Sequence, residues 1–128
     1  MADITGTWLG TYWQAGTPTR FEATFAQAKN SLSGRIEDDS SNLGEANVAG
    51  EVTGRRITFT KRYLNQAAHH TIHYTGTISE DENYISGQWV LNKKQSGPWE
   101  AQRNENDLML ELKSVLARKV PAEAAGVR

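Results

Sequence analysis

Along most of this chain, alternate residues read large, small, large. The triplets are Trp8-Gly10-Tyr12, Phe21-Ala23-Phe25, Leu32-Gly34-Ile36, Val48-Gly50-Val52, Tyr74-Gly76-Ile78, Ile85-Gly87-Trp89 and Trp99-Ala101-Arg103, with Ile57-Phe59-Lys61 as the exception. Apolar alternation of period 2 marks strands with one buried face. It predicts eight of them, over residues 5–14, 19–28, 31–37, 45–52, 56–63, 69–78, 84–91 and 98–103. The stretches between them, of which Asp38 to Gly44 is the longest, fall short of the roughly dozen residues a parallel crossover needs. Consecutive strands are therefore expected to be antiparallel neighbours. Eight strands in series leave two raw edges unless the sheet closes on itself. The predicted fold class is all-β: an eight-stranded antiparallel up-and-down β-barrel, followed by one C-terminal α-helix.

Glycine weakens a strand, so its repeated use on one face needs a cause. Tight coiling of a small barrel is one, because inward side chains crowd where strands bend. A waist kept open for a ligand is another. The two are compatible, with Phe59 as a partial plug.

The 128 residues, 38% hydrophobic and 23% charged, suit one domain with one core. A formal net charge of -1 provides no basic field to gather nucleic acid or anionic membrane. The absence of cysteine removes disulfides, thiol nucleophiles and thiolate metal sites. No apolar run approaches the ~18 residues of a membrane helix. Met1-Ala2-Asp3-Ile4 lacks the basic-then-apolar order of a secretory signal. These features lead us to expect a cytoplasmic domain with neither nucleic acid nor membrane as partner.

After Arg103 the spacing becomes helical. Leu108, Leu112, Val115 and Leu116 fall on one side from Asn106 to Lys119, with Asp107, Glu111, Lys113, Arg118 and Lys119 largely elsewhere. Asn104 or Asn106 suits the N-cap and Pro121 stops the helix. The expected organisation is a barrel over 1–104, an amphipathic helix over 105–119 packed on it, and a tail over 120–128. A short helix is marginal alone, so its apolar side must dock. Docking on its own barrel is preferred to a dimer contact, and the assembly is expected to be a monomer or homodimer.

Strand direction sorts the inward residues between two ends. One end collects Trp8, Phe25, Leu32, Val52, Ile57, Ile78, Ile85 and Arg103. It is aliphatic, with Arg103 placed to stack on Trp8, and is expected to be closed, with the helix available to cap it. The opposite end has longer loops, notably Asp38 to Gly44 and Asn92 to Gly97. Its candidate ligand-binding residues are Tyr12, Gln14, Lys61, Tyr63, His70, Tyr74, Trp89 and Trp99. Aromatic walls with a few polar tips suit a small ligand, and barrel mouths are a preferred place for one. An inward lysine is costly unless paired or hydrated. Lys61 therefore either meets Asp38, reaches the mouth, or donates to an anionic or carbonyl group together with Tyr63.

Within one strand His69 and His73 lie about 13 Å apart at ~3.3 Å per residue, too far to share a metal. His70 faces inward alone. No Ser-His-Asp order, paired inward carboxylates or Gly-rich phosphate loop stands out, so neither catalytic residues nor cofactors nor metals are expected. Glu80-Asp81-Glu82 reads as a solvated turn.

Gly6-Thr7-Trp8 in the first strand and Arg103 in the last resemble the calycin superfamily of lipocalins, fatty-acid-binding proteins and avidins. In that superfamily the first-strand tryptophan packs near a basic residue of the last strand at the closed end. The run Trp8-x-Gly10-x-Tyr12-x-Gln14, Phe59-x-Lys61-x-Tyr63, Tyr74-x-Gly76, Ile85-Ser86-Gly87-x-Trp89 and Gly97-x-Trp99 is similar to an uncharacterised lipocalin-like family of small barrels. Avidins carry an asparagine for biotin shortly after that tryptophan, where this chain has Gly10-Thr11. Nitrobindin-like barrels share Gly6 to Gly10 and Pro18-Thr19 but place a haem histidine near the last strand, where this chain has none. The resemblance implies fold, not activity.

The expected function is thus a small-molecule-binding barrel holding a mostly apolar ligand with an acidic or carbonyl end. The alternatives are a small enzyme using Lys61, His70 and a tyrosine as acid–base groups, or a structural or interaction domain with a filled barrel.

Overall fold

The computed structural model describes residues 2–39, 44–64 and 71–104. Eight strands follow one another: β1 (Gly6–Gln14), β2 (Thr17–Ala28), β3 (Ser31–Asp38), β4 (Glu45–Thr53), β5 (Arg56–Tyr63), β6 (Thr71–Ile78), β7 (Tyr84–Asn92) and β8 (Gln95–Arg103). Each pairs antiparallel with the next, and β1 also pairs with β8, from Trp8↔Arg103 to Tyr12↔Trp99, closing the barrel. No helix occurs among the described residues; the segments assigned by sequence to a helix over 105–119 and a tail over 120–128 lie outside them, as does His70.

The alternation reads out as expected. Inward positions such as Trp8, Phe25, Ile36, Val52, Ile57 and Ile85 are buried, and outward neighbours such as Glu22, Arg35, Thr58 and Gln88 are exposed. Two strands begin earlier than the sequence predicts, at Thr17 and Gln95 rather than at 19 and 98. Pro18 and Pro98 lie inside them. Pro18 precedes the β2–β3 pairing, which begins at Phe21↔Asp38, and Pro98 lies beyond the β1–β8 pairing. Each therefore has a strand on one side only, where a missing N–H is tolerated. The long loop expected from Asn92 to Gly97 is instead a two-residue turn at Lys93 and Lys94. Asn92 Oδ1 accepts from the N–H of Lys94 at 2.8 Å and of Gln95 at 2.9 Å, holding the chain reversal.

The small inward residues face large ones. In register, Gly10 opposes Phe21, Gly34 opposes Phe25, Gly50 opposes Phe59, Gly87 opposes Trp99 and Gly97 opposes Trp89. A Cβ on Gly10 would sit 2.3 Å from the Phe21 ring, so the ring lies over the glycine's vacant face. Trp99 and Trp89 likewise lie against Gly76 and Gly97, an aromatic rescue of strand glycines, whereas at Gly34, Gly50 and Gly87 it is the backbone of the neighbouring strand that approaches. The waist is consequently occupied: Phe59 stacks on Tyr74 at 4.8 Å between centroids, and Trp99 meets both edge-on.

The aliphatic end is closed by the first residues of the chain. Ile4 is fully buried and Ala2 nearly so. Trp8 Nε1 donates to the Ile4 carbonyl at 2.9 Å, the Ile4 N–H donates to Gln27 Oε1 at 3.0 Å, and Gln27 Nε2 donates to the Ala2 carbonyl at 2.8 Å. Arg103 stacks over the Trp8 ring at 4.7 Å.

Candidate functional site

At the opposite end, five strands bring polar and aromatic groups to one point. Lys61 comes from β5, which also supplies Tyr63 two residues on. Tyr12 comes from β1, Phe21 from β2, Asp38 from the last position of β3 and Tyr74 from β6. Between β3 and β5 the inward residue of β4 at this level is Ala46, fully buried and paired with both Ile36 and Tyr63.

Lys61 is 0% exposed. Its Nζ donates to Asp38 Oδ1 at 2.7 Å, in the range of a charge-assisted hydrogen bond. Asp38 Oδ2 accepts from the Tyr12 hydroxyl at 3.1 Å and from the Tyr63 hydroxyl in a short contact. Around the ammonium the rings of Tyr12 and Tyr63 lie at 4.8 Å, Tyr74 at 5.8 Å and Phe21 at 5.9 Å. The cation thus sits in an aromatic cage with one carboxylate as its floor. No buried side-chain nitrogen or oxygen among the described residues lacks a partner.

These surroundings set the proton affinities. Burial pulls the Lys61 ammonium below its ordinary value, against the opposing pull of Asp38. Burial, with the Asp38 charge adding to it, pushes Tyr12 up to about 12. Tyr63 and Tyr74 are raised as well, by burial first and then by Asp38. Both phenols that touch Asp38 are therefore held as neutral donors. Their protons, with that of Lys61, are all directed at one acceptor.

Of the eight residues expected to form the site, His70 lies outside the described residues and the other seven divide into three groups. Tyr12, Lys61, Tyr63 and Tyr74 come together. Trp89 packs edge-on against Tyr12 at 6.1 Å, but its Nε1 is committed to the Trp13 carbonyl at 3.0 Å, while Trp99 Nε1 is committed to the Thr75 carbonyl at 2.9 Å. Gln14 is exposed at the end of β1, beside the β1–β2 turn. Asp38 and Phe21 complete the arrangement, and the register pair Phe21↔Asp38 is the signal that places them on one level. No cluster of three metal-ligating side chains exists among the described residues.

No family model matches this chain, and no curated protein does. Among solved structures it is similar to a redesigned beta barrel, at 14% identity and a TM-score of 0.63, over 79% of this chain and 91% of that one. At that identity the likeness concerns the fold alone.

Proposed function

We propose that this chain is a non-catalytic interaction domain: a filled, calycin-like barrel that meets its partner through its outer surface. The observation carrying this reading is the complete burial of Lys61 with its ammonium on Asp38. An acid–base group must present a proton or a lone pair to a substrate. Here the Lys61 ammonium, the Asp38 carboxylate and the Tyr12 and Tyr63 hydroxyls are already engaged with one another. The stacked Phe59, Tyr74 and Trp99 occupy the space an apolar ligand would need. The calycin-like assignment is supported by the Trp8–Arg103 stack at the closed end. Outward positions such as Arg20, Glu22, Arg35, Glu37, Arg56 and Arg62 are exposed, the opposite of the apolar band a lipid-facing barrel presents.

A second reading is favoured by the position of Asp38 at the very end of β3. A small molecule bearing a carboxylate would replace Asp38 on Lys61 and lie in the same aromatic cage. Native mass spectrometry of the purified protein separates the two. The bare chain mass is expected. A stoichiometric small molecule that is lost in a folded Lys61→Met variant would overturn the filled-barrel reading and establish the second.

A further inference from the structure

Outside the barrel, a groove of about 770 Å³ crosses the outer face of β8, β1, β2 and β3. It begins at Arg103 and Asn104, where the described chain ends, and reaches Glu37 and Asp39. Leu9 lies along it, 49% exposed although its strand is paired on both sides there. Its far side is acidic. Glu22 stands directly opposite Glu37, and Glu37 directly opposite Glu45, an arrangement that like charges disfavour. Arg35 answers Glu45 at 2.7 Å, whereas Glu22, Glu37 and Asp39 make no ion pair among the described residues. With Arg20 the one cation lining that side, beside Asp39, the sheet presents an apolar spot followed by an excess of negative charge.

We infer that the C-terminal segment 105–119 of the same chain docks in this groove as an amphipathic helix. Leu108, Leu112 and Leu116 would cover Leu9, and Lys113, Arg118 and Lys119 would face Glu22, Glu37 and Asp39. Three observations select this occupant. The groove starts at the residue from which the segment departs. The aliphatic end is already taken by Ala2 and Ile4, so it offers the segment no seat. The dimensions also match: from Asn104 to Asp39 the path crosses three strand spacings and four residues of strand, ~19 Å on the diagonal, while a helix spanning these fifteen positions is ~22 Å long. Positive charge then accumulates toward the C-terminal end of the segment, which is the end that arrives at the carboxylates.

Hydrogen exchange on the full-length protein tests this, with backbone amides of 108–116 as the readout. Their protection is expected to be independent of protein concentration. It should fall about tenfold or more in Leu9→Asp and in the Glu22→Lys/Glu37→Lys double variant, while amides of β4 and β5 keep theirs. Adding Lys113→Glu and Lys119→Glu to the charge-reversed barrel is expected to restore it. Unprotected amides in the wild type, or protection indifferent to Leu9→Asp, would overturn the inference. Protection that grows with concentration alongside a dimer would assign the groove to a second copy instead.

Discussion

Lys61 and Asp38 are stable together and costly apart. Breaking a buried pair by removing one partner leaves a charge without compensation, typically at ~3–5 kcal/mol. Asp38→Asn and Lys61→Met are each expected to lose about that much in denaturant unfolding, and the double variant less than the sum. Strict additivity would mean that the 2.7 Å contact contributes no coupling. The same residues shape the alkaline response. Folding lowers Lys61 below 10.5, so the unfolded chain binds more protons between the lowered value and 10.5, and this residue alone makes stability rise with pH there. The tyrosines act in the opposite sense. Tyr12 moves from 10.0 to about 12, and Tyr63 and Tyr74 move upward too, so above pH 10 the native state holds protons the unfolded chain has lost. Above 10.5 the amine no longer contributes and only the phenols act, so stability is expected to fall as pH rises past 10.5. Phenolate absorbance should develop first from Tyr84, which donates to Glu100 at 2.7 Å on the surface. The other three are expected to ionise only as the barrel opens. Native-state ionisation of all four near pH 10 would contradict this account.

Close approach of neighbouring strands at the inward glycines makes the strands interdependent, and the clearance at each glycine ranks its tolerance. On Gly87 a Cβ would meet the Thr75 carbonyl oxygen at 1.8 Å and the Gly76 Cα at 2.5 Å, both backbone. On Gly76 the nearest atoms are the Ser86 carbonyl oxygen at 2.9 Å and the Trp99 ring at 3.0 Å. Gly76→Ala is expected to cost ~1–3 kcal/mol as overpacking, and Gly87→Ala more, because β6 itself has to move. Chemical denaturation of the two variants checks the order, and equal stability would undo it. How far these elements were legible follows from the same residues. Period 2 located all eight strands, because each has one buried face whose alternation survives in composition. The glycines were visible but ambiguous between curvature and an open waist. The difference lies in register, which puts Gly50 against Phe59 rather than against empty space. The starts of β2 at Thr17 and β8 at Gln95 escape the pattern because Thr17-Pro18 and Gln95 to Gly97 read as turn residues, although a missing proline donor matters only where both neighbouring strands exist. Asp38 and Lys61 share one face by parity, but their meeting depends on the register across β4, which period 2 alone does not give.

Closure is a property of the whole molecule, and at the aliphatic end one side chain adds to the β1–β8 pairing. Arg103 Nη1 donates to the Thr5 carbonyl at 2.8 Å, and Nη2 donates to the carbonyls of Asp3 at 3.0 Å and Glu82 at 2.8 Å. Its Nε faces the Glu82 carbonyl and Asn83 Oδ1, both at 3.2 Å. One guanidinium therefore ties the last strand to the N-terminal segment and to the β6–β7 turn, while its plane lies on Trp8. The resemblance of Gly6-Thr7-Trp8 and Arg103 to calycins anticipated the stack. The burial of Ala2 and Ile4 was not anticipated, since four residues are too few to display a period. An ammonium cannot reproduce the fork of donors or the planar stack. Arg103→Lys is thus expected to leave backbone carbonyls of Asp3, Thr5 and Glu82 without their charged donor, at ~1.5–3 kcal/mol for such hydrogen bonds. Because β1 and β8 meet at this point, the loss should lower the single global unfolding transition rather than fray one end. Exchange protection of the Ile4 amide, bonded to Gln27, should decrease together with that of Trp8 and its strand. If Ile4 alone loses protection while the transition midpoint stays at the wild-type value, Arg103 anchors only the N-terminal segment and the barrel closes without it.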